Sequence, residues 1–300
     1  MVKRVAGVMF ATACLAMGQA EMANPGTVNF VEGQATIAGR PIGTTQKGKA
    51  VVGAGQVLET QNGKAEMLLT PGVFVRLDDH SAVRMISPSI VDTRVELLRG
   101  QAMLEAAQVQ KENHLAVADG GVNTLIQKPG IYEFRATQPT VMVYDGRAEV
   151  VQNDKTIDLG KGKELVMGQQ KPQKFDRESA EASDNLYAFS KLRSEYVSEA
   201  NMSLAQNFVG GGLGWYGPGW YWDPYFTSWA FMPGAGFLYS PFGYGWGYYS
   251  PAYWGMWGGY RGFGGYYRGF GGYRGGYVGH GFVGRASGGY GGHFGGGGRR

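Results

Sequence analysis

Three hundred residues could hold two ordinary domains, but 33 of the 52 glycines and all seven tryptophans lie beyond residue 209, so one folded domain with a low-complexity extension is the expected organisation. The net charge of +4 divides as unevenly: Lys3 and Arg4 give the leader +2, residues 21–223 carry 20 basic and 24 acidic side chains, and residues 224–300 carry six arginines and no acid. The single cysteine, Cys14, falls in the leader, which excludes disulfides, thiolate metal sites and cysteine catalysis from a chain that begins after it.

Residues 1–20 read as a secretory signal. Lys3 and Arg4 form a charged start, Val5 to Met17 an apolar stretch, and Gly18-Gln19-Ala20 a small-residue cleavage site. The apolar run is short of the roughly 20 residues that a spanning helix needs, so cleavage before Glu21 is preferred over anchoring. Lipid attachment at Cys14 is the weaker reading, because Ala11 stands where leucine is usual and attachment there would truncate the apolar run. The chain is therefore expected in the periplasm or on the outer surface, with no transmembrane span after cleavage.

From Gly26 to Met167, short apolar–polar alternations are broken by glycine every eight to twelve positions, the pattern of a mainly β domain over residues 26–170. Thr27–Val31, Lys64–Leu68, Val73–Leu77, Ala82–Ile86 and Arg94–Leu98 are each of strand length. Gln61-Asn62-Gly63 and Asp119-Gly120-Gly121 carry residues suited to tight hairpin turns. One motif recurs three times, as Val31-Glu32-Gly33-Gln34-Ala35, Leu98-Arg99-Gly100-Gln101-Ala102 and Tyr144-Asp145-Gly146-Arg147-Ala148. A second pairs Pro71-Gly72-Val73-Phe74 with Pro129-Gly130-Ile131-Tyr132. Glycine between strand-formers marks a bend, so these are expected to be corners of an antiparallel β-sandwich or β-roll.

After Pro172 the period changes. Leu186, Phe189, Leu192, Tyr196, Ala200 and Leu204 fall on one face of an amphipathic helix over residues 184–208, capped by Ser183 or Asp184 and ended by Gly210-Gly211-Gly212. Packing on the β-domain is the expected use of that face, with partner binding the alternative. Residues 210–257 interleave aromatic pairs with proline and glycine, and their aromatic surface favours some collapse onto the domain. Residues 258–300 are Gly-Tyr-Arg repeats too glycine-rich to offset the entropy of ordering, and disorder is expected there.

The residues for chemistry are sparse. Asp78-Asp79-His80 is the one compact acid–histidine cluster and lies between two strands, where a turn is the better reading than a metal site. His114 stands alone, and His280 and His293 lie in the tail. There is no Gly-x-Ser-x-Gly elbow, His-Glu-x-x-His helix or P-loop. No enzymatic role, catalytic residue, metal or cofactor is expected. The tail offers Arg261, Arg268, Arg274 and Arg285 for charge contacts and Tyr266, Tyr267 and Tyr273 for stacking. The expected partners are envelope polyanions, glycans or an envelope protein; a plain solvated spacer is the alternative, and nucleic acid fits only if the leader fails.

The strands and corners of residues 55–150 resemble the FecR domain, named for a periplasmic regulator of ferric-citrate uptake. The similarity runs through Gly55-Gln56-Val57-Leu58-Glu59-Thr60, Gly63-Lys64-Ala65-Glu66-Met67-Leu68-Leu69, Pro71–Leu77 and Ser81-Ala82-Val83-Arg84. It continues through Val95–Ala102 and closes on Val141–Ala148. Lys128-Pro129-Gly130-Ile131-Tyr132-Glu133-Phe134 departs from the family's Gly-Thr-x-Phe step. The combination with a helix and a glycine–aromatic tail is also similar to secreted FecR domain-containing proteins of bacteria. The resemblance implies the fold, and fold does not carry function. The expected role is a non-enzymatic, structural or interaction protein of the envelope; a periplasmic sensor or regulatory accessory of FecR-type signalling is the alternative.

Overall fold

The computed structural model describes residues 23–43, 46–110, 112–211, 219–233 and 237–247, with the backbone alone at 206–211 and 237. All belong to the first of two compact units, Met1–Met256; the second, Trp257–Arg300, lies outside the described residues, as do residues 1–20, where a signal segment is expected.

The protein is mainly β. Fifteen strands form one sheet: β1 (Val28–Ile37), β2 (Arg40–Pro41), β3 (Val57–Leu68), β4 (Val73–Leu77), β5 (Ala82–Ser89), β6 (Asp92–Arg99), β7 (Gln101–Ala106), β8 (Ala116–Asp119), β9 (Val122–Ile126), β10 (Gly130–Arg135), β11 (Thr140–Asp145), β12 (Arg147–Gln152), β13 (Lys155–Gly160), β14 (Lys163–Val166) and β15 (Gln173–Lys174). The five alternating segments fall on β1, β3, β4, β5 and β6. The path runs β13-β12-β9-β8-β6-β5-β3-β4-β7-β10-β11-β14-β15, with β1 paired to β3; every pairing is antiparallel except β6 with β8.

One core explains the curvature. Leu58, Val75, Leu77, Leu97, Leu104, Phe134, Val143, Val150, Leu159 and Leu165 all belong to a single buried cluster. Leu159 of β13 and Leu165 of β14 lie near opposite ends of the path, so the sheet must roll round the cluster to bring them together. Each fully buried leucine contributes about 1.5–3 kcal/mol from apolar surface removed from water.

The turn chemistry divides. Asp119-Gly120-Gly121 joins β8 to β9 with φ of 54° and 80° at the two glycines, the positive pair that a type I′ hairpin requires. Gln61-Asn62-Gly63, expected as a turn, instead runs inside β3. Gly63 sits opposite Gly33 of β1 beside a register shift, and a methyl on either would strike the other strand's backbone. Asn-Gly here serves close strand approach at a bulge, not chain reversal. Two of the three copies of the motif mark bends, at Gly100 and Gly146 with φ of 76° and 98°, whereas Gly33 with φ of 68° lies inside β1 at its bulge. Gly100 and Gly146 each join one strand directly to the next, β6 to β7 and β11 to β12.

Two helices follow the sheet. The short α1 (Arg177–Ser183), which the sequence pattern did not signal, has no buried residue and is capped by Asp176. The longer α2 (Asn185–Gly211) is capped by Asp184, whose Oδ1 accepts the Leu186 and Tyr187 amides at 2.7 and 3.1 Å. Its packed face is rotated from the expected one. Leu186, Phe189, Ala200 and Leu204 are buried, but Leu192 is 64% exposed, while Ser190, Arg193, Ser194, Val197 and Asn201 are buried.

The aromatic segment forms β16 (Gly219–Asp223) and β17 (Ser228–Met232), which make one hairpin, and β18 (Phe237–Tyr239) and β19 (Gly245–Gly247), which make another. Trp220, Phe231 and Trp246 close on Phe74 of β4, with ring centroids 4.8 Å apart for Phe74–Trp220 and 5.5 Å for both Trp220–Phe231 and Phe231–Trp246. The collapse expected for part of residues 210–257 therefore occurs, and it builds a second core with Leu68, Val197, Ala200 and Leu204.

Candidate functional site

The outer face of the central strands is buried as completely as the inner one. On β4, Val73, Val75 and Leu77 face the inner core while Phe74 and Arg76 point the other way, and all five are buried. On that second face Glu66 of β3, Arg76 of β4 and Glu105 of β7 lie beneath α2 with no side-chain exposure. Charges without water must be paired and hydrogen-bonded.

Each is paired, although Arg76 NH2 and Arg193 Nε are buried without a hydrogen-bond partner among the described residues. Arg76 donates from Nε to Glu66 Oε2 and from NH1 to Glu105 Oε2, both at 2.7 Å. Arg193, reaching down from α2, donates to Glu66 Oε1 at 2.9 Å and lies 4.2 Å over the Phe30 ring. Ser194 donates to Glu105 Oε1 at 2.8 Å, and Ser240, beyond β18, donates to the same oxygen. Two carboxylates and two guanidiniums make the set electrically neutral. Burial alone would raise the Glu66 pKa, but Arg193 and Arg76 outweigh it and hold the carboxyl below its ordinary range. For Arg76, burial lowers and the attraction of Glu105 and Glu66 raises, with a net rise.

The amide of Asn29 on β1 extends this network to the aromatic hairpin. It donates to Glu66 Oε1 at 2.8 Å and to the Trp229 carbonyl at 3.1 Å, and its own oxygen accepts the Trp229 amide at 2.8 Å. Asn201 of α2 donates to the Phe231 carbonyl at 2.7 Å and accepts the Gly247 amide at 2.9 Å. Sheet, helix and both hairpins are thus tied by side chains of one connected polar layer.

A second cluster sits at the head of α2. Glu133 of β10 is fully buried; its Oε1 accepts from Arg135 at 2.5 Å and its Oε2 from the Tyr144 hydroxyl of β11 at 2.8 Å. Arg135 also reaches the helix cap, with NH2 3.4 Å from Asp184 Oδ2. Burial is the main cause that pushes the Glu133 carboxyl up to about 7; the Asp184 charge adds to it, and Arg135 and Tyr144 oppose it. A cleft of about 270 Å³ opens beside this cluster, lined by Asp78, Gln101, Arg135, Ser183, Asp184 and Asn185.

Asp78-Asp79-His80 forms the turn expected of it between β4 and β5, with Asp78 paired to Lys64. Among the described residues no group of three histidine, cysteine or acidic side chains could hold a metal ion, and no helix is long and apolar enough to cross a membrane. Arg261, Arg268, Arg274, Arg285, Tyr266, Tyr267 and Tyr273 lie outside the described residues. The alternation alone does not reveal these buried charges: Glu66 and Arg76 stand at its polar positions, where solvent exposure is the ordinary expectation. One signal for them exists in the sequence: Leu68, Phe74, Met103, Ile131 and Met142 share their strand faces with Glu66, Arg76, Glu105 and Glu133, and a water-facing surface would not carry so many large apolar side chains.

No family model matches the chain, and no curated protein matches it significantly. Three chains among solved structures do match. Two are crystal structures of a "putative anti-sigma factor" from Parabacteroides distasonis, aligned with 15% and 14% identity and a TM-score of 0.36 in each case. The alignments cover 42% of this chain and 62% of that one, so they span less than two thirds of that protein's length.

Proposed function

We propose that this chain is an exported, non-enzymatic interaction protein of the cell envelope, in which a rigid β-body carries a basic, aromatic tail that binds polyanions or glycans. The observation that carries this reading is the division of charge. Glu66, Arg76, Glu105 and Arg193 are spent within the body, joining the sheet to α2, whereas residues 224–300 hold six arginines and no acid. Arginine among tyrosines suits phosphate and sugar surfaces, which an exported chain meets in quantity. The test is removal of residues 258–300 followed by fractionation. Association with the envelope should fall, and the association of the full chain should weaken with added salt. Unchanged association after the deletion, or binding indifferent to salt, sinks the proposal.

A second reading, a signalling accessory, is supported by the corner motifs shared with FecR domains, from Leu98-Arg99-Gly100 to Tyr144-Asp145-Gly146. Capture of a sigma-system or receptor component on the full chain would favour it; capture of none under iron-replete and iron-starved growth would remove it.

A further inference from the structure

Two carboxylates share one guanidinium at the head of α2. Glu133 and Asp184 both contact Arg135, so the trio carries one negative charge in excess, and Glu133 has no exposure to water that would disperse it. Among the described residues the neighbouring cations Lys64 and Arg76 are already held by other carboxylates. Beside Glu133, β11 contributes the neutral Tyr144, and β7 contributes Met103 opposite it and Gln101 opposite Arg135. Glu105 of β7 is held by Arg76, and Asp78, across the cleft, is held by Lys64. From α2 the facing group is the cap, Asp184, and beyond it Tyr187, whose ring lies 5.0 Å from that of Tyr144.

We propose that Glu133, Arg135 and Asp184 form a proton-controlled latch that fastens the N-terminal turn of α2 to the sheet, tight when Glu133 is protonated and loosened when it ionises. The geometry sets the direction. A proton on Glu133 removes the excess charge and leaves Arg135 to Asp184, the residue that caps the Leu186 and Tyr187 amides. Loss of that proton leaves a buried carboxylate competing for the same guanidinium, and opening relieves it by letting water reach Glu133.

The folded carboxyl titrates at about 7 against an ordinary value of 4.5. With the folded value raised, the contribution to closure is complete below the ordinary value and is lost as pH rises through 7. Linkage then makes the opening equilibrium about tenfold more favourable at pH 8 than at pH 6.

The experiment is hydrogen exchange of the full chain at the Leu186 and Tyr187 amides, corrected for intrinsic exchange. Protection should fall about tenfold from pH 6 to pH 8. In Glu133→Gln, fixed in the neutral state, it should stay level; equal pH dependence in that variant and the parent overturns the proposal. A carbon NMR titration of the Glu133 carboxyl in the unaltered chain and in Asp184→Asn gives the second measurement. Asparagine preserves the cap and removes the competing charge, so the midpoint should move toward acid; an ordinary midpoint in the parent, or none of that shift in the variant, also overturns it.

Discussion

Arg193 of α2 and Glu66 of β3, 127 positions apart in the chain, meet at 2.9 Å in a layer with almost no water. Either charge alone is a burden there. Arg193→Met should therefore cost about 3–5 kcal/mol, chiefly by leaving Glu66 underpaired. Adding Glu66→Gln to that variant should recover part of the loss, with a coupling of about 0.5–3 kcal/mol in a double-mutant cycle from denaturant unfolding. Additive effects would show that the pair is not coupled.

Gly100 and Gly39 have the same φ of 76° and different surroundings. A methyl at Gly39 meets nothing, whereas one at Gly100 would lie 2.6 Å from Ser81 Cα, where the chain bends from β6 into β7. Gly39→Ala should cost about 1–2 kcal/mol, the ordinary penalty for a side chain in left-handed backbone. Gly100→Ala should cost about 1–3 kcal/mol more, from overpacking against a strand that cannot withdraw. Equal losses of thermal stability in the two variants would refute the role of the corner.

The corners and strands were legible because each depends on local chemistry: alternation places Val73, Val75 and Leu77 on one face, and Gly100 permits a bend wherever it stands. What covers the other face was not legible, because it comes from residues far along the chain, 89 positions for Ser194 on Glu105 and 127 for Arg193 on Glu66. Leu192 completes a plausible apolar stripe with Leu186 and Phe189, yet it faces water, since the sheet beneath offers Glu66 and Glu105 and selects Arg193 and Ser194 in its place. Helical periodicity ranks side chains by hydropathy, and this interface is matched by charge. Asn62-Gly63 failed for a related reason: the dipeptide tolerates positive φ equally in a turn and at a bulge, and only Gly33 on the neighbouring strand decides between them.

Asp119, at the β8–β9 turn, is buried with its Oδ2 unpartnered, and burial raises its carboxyl from 3.8 to about 6. A raised value means stability that is complete below pH 3.8 and lost as pH climbs through 6. Asp119→Asn removes that loss, so the difference in unfolding free energy between variant and parent should grow between these limits and level off above them, by up to about 3 kcal/mol. A difference independent of pH would show that Asp119 finds solvent or a partner after all.

Asn29 takes the place of a strand neighbour for the aromatic hairpin, its amide meeting both the amide and the carbonyl of Trp229 while also serving Glu66. In Asn29→Leu the Trp229 amide loses its partner and its carbonyl keeps only the Ser228 hydroxyl, 3.4 Å away, at a cost of about 1–3 kcal/mol for the buried group left unsatisfied. The loss falls on the hairpin's attachment, because the sheet keeps the β1–β3 ladder of its own backbone. All seven tryptophans lie at or beyond Trp215, so intrinsic fluorescence reports on this segment and not on the sheet. Emission should shift to the red in Asn29→Leu at a denaturant concentration where the far-ultraviolet sheet signal persists. Should both signals disappear together at the parent's midpoint, the hairpin is held by its rings on Phe74 and not by Asn29.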